Sequence, residues 1–198
     1  HARLELARSA ELLPELDGVT AVFGQVEIDR LRGLDRENLR CICHSFSVSQ
    51  RIKQAGISVA RELNEPAQNA VVFVPRAKAE AWQLIAKAQR AAPDGWTIVD
   101  GQKTDGIDSI AKQIVKTVSN AASYSKGHGK TIWFRAADAP VIEQAPEETS
   151  KNKGGFLTAP GVFSADGPDP ASQALAAALP DTLKGRFADL GAGWGWLS

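Results

Sequence analysis

The sequence predicts an α/β fold: a mainly parallel sheet with helices on both faces. Three observations predict it. Short apolar runs rich in Val and Ile recur along the chain. Their apolarity is continuous rather than alternating, as in strands buried on both faces. Segments with apolar residues at helical spacing separate them, and the alternation of the two kinds of segment is the signature of α/β layering.

The elements follow in order. Residues 2–13 carry Leu4, Ala7 and Leu12 at loose helical spacing, and Pro14 limits a short helix. Val19 to Phe23 reads as a buried strand ending in a turn at Gly24. Leu39 to Cys43 is a second such run, and Ile57 to Ala60 a short third. Ala70 to Val74 is the clearest strand of the first half, continuous, β-branched and stopped by Pro75. Ala81, Leu84, Ile85 and Ala88 then mark one helical face, closed by Pro93, Asp94 and Gly95. Trp96 to Val99 is the next strand. Ile107, Ile110, Ile114 and Val118 mark another helix, and Lys130 to Phe134 a last strand. These elements make a first domain of residues 1–135.

Residues 136–153 change character, with Pro140, Pro146, the acidic Glu147 and Glu148, and a polar stretch from Thr149 to Lys153. They read as a linker, with the domain boundary near residue 150. A new start follows over 154–198. Pro160 and Gly161 make a turn, Asp169 stands as an N-cap, and Pro170 takes the first helical position. That helix runs to Leu179 and stops at Pro180. Phe187 to Leu190 reads as a strand opening onto Gly191-Ala192-Gly193-Trp194-Gly195.

Composition excludes several classes. The 198 residues are long enough for one full core and part of a second. Twenty-three basic residues balance 23 acidic ones, so the total announces no polyelectrolyte partner. The sum hides a local bias, however. Residues 103–135 hold Lys103, Lys112, Lys116, Lys126, Lys130 and Arg135 against Asp105 and Asp108, with His128 between Gly127 and Gly129. Two readings stay open: an RNA-phosphate patch formed by Lys103, Lys126, His128, Lys130 and Arg135, or a solvated helix face with a loop. No stretch approaches 18 apolar residues, and His1 to Ser9 is not a signal peptide, so a cytoplasmic location is expected. Cys41 and Cys43 share one side of a strand and read as reduced thiols. A metal site completed by His44 lacks a second ligand pair, so no metal is expected. Asp100-Gly101 and Asp105-Gly106 read as turns, and Trp82, Trp96 and Trp133 as core anchors.

Asp189-Leu190-Gly191-Ala192-Gly193-Trp194-Gly195 carries the chemistry. Glycines after a strand let the backbone turn tightly and approach a ligand, and a carboxylate at the strand end can anchor the loop or meet an ammonium group. The dinucleotide fingerprint needs glycines at the first, third and sixth places, whereas here they fall at the first, third and fifth. A plain glycine turn after a buried strand is the competing reading.

The glycine spacing resembles the first motif of class I S-adenosylmethionine methyltransferases. Pro160-Gly161-Val162-Phe163-Ser164, followed by Asp169 and Ser172, is similar to the run that opens the catalytic domain of one family. That family is the guanine-N2 methyltransferases of small-subunit ribosomal RNA, within the "methyltransferase small" group. The resemblance is specific over 155–198 and looser elsewhere. It implies two tandem Rossmann-like domains, the first degenerate and the second catalytic, with the sequence stopping inside the second. It implies S-adenosylmethionine as cofactor, held by Asp189, Gly191, Gly193, Gly195 and Phe163, with ribosomal RNA or the small ribosomal subunit as partner. The groups that hold the base are expected beyond Ser198, so no catalytic residue is assigned here.

In the first domain only Gly24 follows the first strand. His44-Ser45 stand where an acidic ribose anchor is expected, and Val74-Pro75-Arg76-Ala77 stand where the catalytic copy carries Asn-Pro-Pro-aromatic. This stretch is therefore expected to be inactive alone, its first domain aiding RNA binding and stability. Two other readings remain: a non-catalytic RNA- or protein-interaction module, and a methyltransferase acting on a protein side-chain amide.

Overall fold

The computed structural model describes residues 2–140, 149–180, 182 and 184–198. The chain divides into two compact units, 1–145 and 146–198.

In the first unit the strands are β1 (Thr20–Gly24), β2 (Leu39–Ile42), β3 (Ser58–Ala60), β4 (Asn69–Phe73), β5 (Trp96–Gln102), β6 (Ala122–Lys126) and β7 (Gly129–Arg135). The helices are α1 (Arg3–Ser9), α2 (Phe46–Gln54), α3 (Lys78–Ala91) and α4 (Ile107–Thr117). The strands form one seven-stranded sheet ordered β3-β2-β1-β4-β5-β7-β6. The β1–β2, β1–β4, β2–β3 and β4–β5 pairs are parallel; β7 runs antiparallel to both β5 and β6. Six strands thus point one way and one is reversed, a doubly wound, Rossmann-like sheet.

Two cores explain the continuous apolar runs. Ala21, Phe23, Val72, Val74, Val99, Ile132 and Phe134 face α3 and α4 with Ile85, Ile110 and Ile114. Their sequence neighbours Val22, Val71, Phe73, Ile98 and Trp133 face the other way, against Leu4 of α1, Leu31 and Ile52 of α2. A strand residue pointing to either face is therefore buried. Each such Val, Ile or Phe contributes about 1.5–3 kcal/mol through its removal from water.

Three segments of the first unit depart from the sequence reading. α2 was not expected, because Ile52 alone of its residues is buried and the apolar stripe is thin. Nor was β6, an edge strand of mostly exposed small and polar residues. Residues 136–140, expected to begin the linker, instead pack on the first unit: Ala136 and Ala139 are buried, and the Gln89 side chain donates to the Ala139 carbonyl at 2.8 Å. Pro146, Glu147 and Glu148 lie outside the described residues.

The second unit holds a short hairpin of β8 (Ser150–Lys151) and β9 (Leu157–Thr158), and helix α5 (Pro170–Ala178). The expected strand over 187–190 does not form. A central strand needs ladder partners on both edges, and β8 and β9 pair only with each other among the described residues. Phe187 and Leu190 are accordingly 71% and 92% exposed. Among the described residues no helix is long and apolar enough to cross a membrane.

Candidate functional site

The second unit assembles a pocket at the mouth of the glycine loop. Phe163, Asp169, Ser172, Asp189, Gly191 and Gly193 all line it. Asp169 caps α5: Oδ1 accepts from the backbone N–H of Ala171 at 3.0 Å and of Ser172 at 3.1 Å, and Oδ2 accepts from the Ser172 hydroxyl at 2.6 Å. The Ser172 hydroxyl, helped by these amides, holds the Asp169 carboxyl below the usual aspartate range. Asp189 accepts from the Ser198 hydroxyl at 2.7 Å, and Trp194 packs its ring against Phe156 at 5.1 Å between centroids. The Phe163 side chain is 79% exposed toward this space.

Gly191, Gly193 and Gly195 have φ of +86°, +59° and +82°, the left-handed region that L side chains rarely adopt. A Cβ at Gly191 or Gly195 would meet nothing within 4 Å, so the loop needs glycine for its backbone shape rather than for lack of room. Among the described residues of the loop, only Gly195 donates its backbone N–H within the chain, to the Ala192 carbonyl at 2.9 Å. Gly191 and Gly193 themselves line the pocket. Four of the five expected cofactor residues thus line the same pocket; Gly195 shapes the turn behind it.

The turn after β1 in the first unit, where the resemblance expects the corresponding loop, is packed against its own chain. Gly24 ends β1 with φ of +90°, and a Cβ there would lie 2.0 Å from the Phe73 carbonyl oxygen. The Gln25 N–H donates to that same carbonyl at 3.1 Å, and the Val26 N–H donates to the Gly24 carbonyl at 3.0 Å. The Arg30 guanidinium lies 4.4 Å above the Phe73 ring and bonds Asp100 Oδ2 at 2.8 Å. Arg3, only 1% exposed, reaches both carboxylate oxygens of Asp100 at 2.8 and 3.1 Å, and the Thr131 hydroxyl donates to Oδ1 at 2.6 Å. Asp100 therefore belongs to a buried ion cluster inside β5 and not to a turn, as the sequence suggested. Asp105 does serve its turn, accepting from the Gln102 N–H. His44 and Ser45 are exposed at the end of β2.

Sequence reasoning missed Arg3, Arg30 and Thr131. A buried Arg leaves no local pattern, and Arg3 and Arg30 stand 97 and 70 positions from Asp100. Burial, with a smaller contribution from Cys43, pushes the Cys41 thiol up to about 12, so it stays protonated and inert; Cys43 is only half-buried. Among the described residues no group of three His, Cys, Asp or Glu could hold a metal ion.

The structure splits the five residues of the basic stretch. Lys103, Lys126, His128 and Lys130 gather at one end of β5, β6 and β7. Arg135 pairs with Trp96 at the far end of β7, about 20 Å away at roughly 3.3 Å per residue. There it stacks on the Trp96 ring at 4.4 Å and donates to the Asp94 carbonyl.

Comparison with known proteins adds three findings. Residues 153–198, less than a quarter of the chain, match the methyltransferase small domain family. No curated protein sequence matches the chain. Among solved structures, the chain is similar to the 16S rRNA N2 G1207 methyltransferase RsmC of T. thermophilus, determined with AdoMet and guanosine. The TM-score is 0.64 at 20% identity, over 84% of this chain and 49% of that one. The chain therefore spans about half the length of that structure, and the likeness shows a methyltransferase-type fold. An rRNA methylase from Streptococcus thermophilus is similar at a TM-score of 0.41 and 15% identity, over 60% of this chain and 87% of that one.

Proposed function

We propose that the intact protein is an S-adenosylmethionine-dependent methyltransferase acting on the exocyclic amine of a guanine in ribosomal RNA, with residues 154–198 holding the cofactor. The observation that carries this reading is the open glycine loop, whose residues line one pocket with Phe163 and Asp189 inside the segment that matches the methyltransferase small domain. The residues suit the group. Asp189 offers a carboxylate to an ammonium, Phe163 an exposed apolar wall, and Gly191 and Gly193 N–H groups on a backbone that a ligand can approach closely. S-adenosylmethionine supplies an electrophilic methyl on a sulfonium, open to in-line attack by an amine. The chain's part is to bind and orient it.

The first unit, on this reading, neither binds the cofactor nor methylates. Its loop amides are bonded to its own carbonyls, and Arg30 and Arg3 close the end of the sheet. It serves RNA binding and stability. The T. thermophilus neighbour is a methyltransferase of 16S rRNA determined with guanosine, which supports ribosomal RNA as the partner.

Incubating the intact protein with labelled cofactor and small-subunit particles lacking the modification tests the reading. N2-methylguanosine in the digested RNA is the expected product. Label in protein side-chain amides, or no transfer to either acceptor, would overturn it.

A further inference from the structure

We infer that the β6–β7 hairpin is a rigid RNA-phosphate-contacting finger, with His128 at its tip and Lys103 and Lys126 as its principal cations. The choice of RNA as the partner rests on the methyltransferase reading. The finger itself rests on geometry.

β6 ends at Lys126, β7 begins at Gly129, and the two residues pair. Gly127 and His128 form the whole loop, with φ of +57° and +55°. A two-residue hairpin loop with both φ positive is a type I′ turn, whose central positions favour Gly, Asn and Asp. Glycine would serve at 128, yet a histidine stands there with its side chain exposed. A side chain kept at a strained backbone position points to a use for that side chain.

The turn is anchored from below. The Lys103 N–H donates to the His128 carbonyl at 2.9 Å, and Arg3 donates to the Lys126 carbonyl at 3.1 Å. Gln102, with its amide nitrogen turned to the hairpin, donates to the Gly127 and His128 carbonyls at 3.2 and 3.1 Å. Gly129 sits directly on the Arg3 guanidinium, where a Cβ would come within 2.3 Å. The finger therefore meets a ligand already in shape, which lowers the cost of binding.

Charge selects the ligand. Lys103 and Lys126 are exposed, and among the described residues their ammonium groups meet no carboxylate. The two nearby acids are engaged: Asp108 with Lys130 at 3.2 Å, and Asp105 with the Gln102 N–H. Lys78 adds a further cation, reaching Ser109 beside Asp108 at 3.1 Å. Exposed, uncompensated ammoniums around an exposed imidazole suit phosphate oxygens and carry no base identity. Arg135 lies at the opposite end of β7 and is not part of the finger.

The test is a filter-binding series with the intact protein and a short structured RNA at several salt concentrations. The K103Q/K126Q/K130Q variant should bind on the order of 100-fold more weakly at 0.1 M salt, with a log–log slope flatter by about 2, if each lysine neutralises one phosphate. R135Q should bind as the unaltered protein does. H128G should bind several-fold more weakly while melting about 1–3 °C higher, because glycine relieves the turn. A merely structural histidine would give the rise in melting temperature without the loss of affinity. Coincident slopes for the triple variant and the unaltered protein, or an equal loss in R135Q, would overturn the finger. Cofactor titration of the same proteins separates the two readings: a flattened slope without cofactor binding sinks the methyltransferase and keeps the finger, and cofactor binding with unchanged slopes does the reverse.

Discussion

Two glycine turns in this chain sit at places the resemblance treats as equivalent, and they have opposite fates. After β1, Gly24 lies against the end of β4 and the following amides donate to the Phe73 and Gly24 carbonyls. At 191–195 the glycines are likewise left-handed, yet Gly191 and Gly193 line a pocket. Around Gly24 the space beside the turn is filled from within the chain. The Phe73 and Gly24 carbonyls accept the Gln25 and Val26 amides, and the Arg30 guanidinium covers the Phe73 face. The two turns share left-handed glycines and differ in what packs beside them.

This packing from within should be strongest where charges are buried. Asp100→Ala would strand two nearly inaccessible guanidiniums, and breaking such a cluster costs about 3–5 kcal/mol. Chemical denaturation of the intact protein measures it. A loss under about 1 kcal/mol would mean that the cluster does not hold the first unit shut.

A paired truncation sharpens the contrast in packing. Phe134→Ala, in a fully buried site, should cost about 3–5 kcal/mol, whereas Phe187→Ala, at a largely exposed site, should stay within about 0.5 kcal/mol. Equal losses would show that the second unit is packed as the first is.

Smaller in energy, but easily read, is the difference between the two thiols. Alkylation at mildly alkaline pH should modify Cys43 first and Cys41 only on unfolding. Because the folded Cys41 value is raised from 9.0 to about 12, the contribution is fully present below about 9 and is lost as pH rises toward 12. The stability of Cys41→Ala should fall less steeply across that window than that of the unaltered protein. Rapid native alkylation of Cys41 would contradict its burial.

Much of the first unit was legible because burial on both faces writes an unbroken apolar run, as at Ala70 to Val74. β6 was not, since the edge strand Ala122–Lys126 partly buries Tyr124 and leaves its other residues exposed. The run Phe187 to Leu190 misled for the opposite reason: it has a strand's composition, but pairing depends on neighbours that local sequence cannot supply. The glycine loop stood out through its spacing together with the Pro160 to Ser164 run that precedes it. The Arg3–Asp100–Arg30 cluster was not, because three charges far apart in the chain meet only through topology, and the five-residue basic patch was divided by the length of β7 for the same reason.

Calorimetric titration of the intact protein with S-adenosylmethionine tests the division between the two turns most directly, run beside Gly193→Val, whose β-branched side chain cannot accept the backbone at that position. One site per chain, lost in the variant while Phe134 and its core remain folded, is the predicted result. Two sites per chain, or undiminished binding in Gly193→Val, would contradict it.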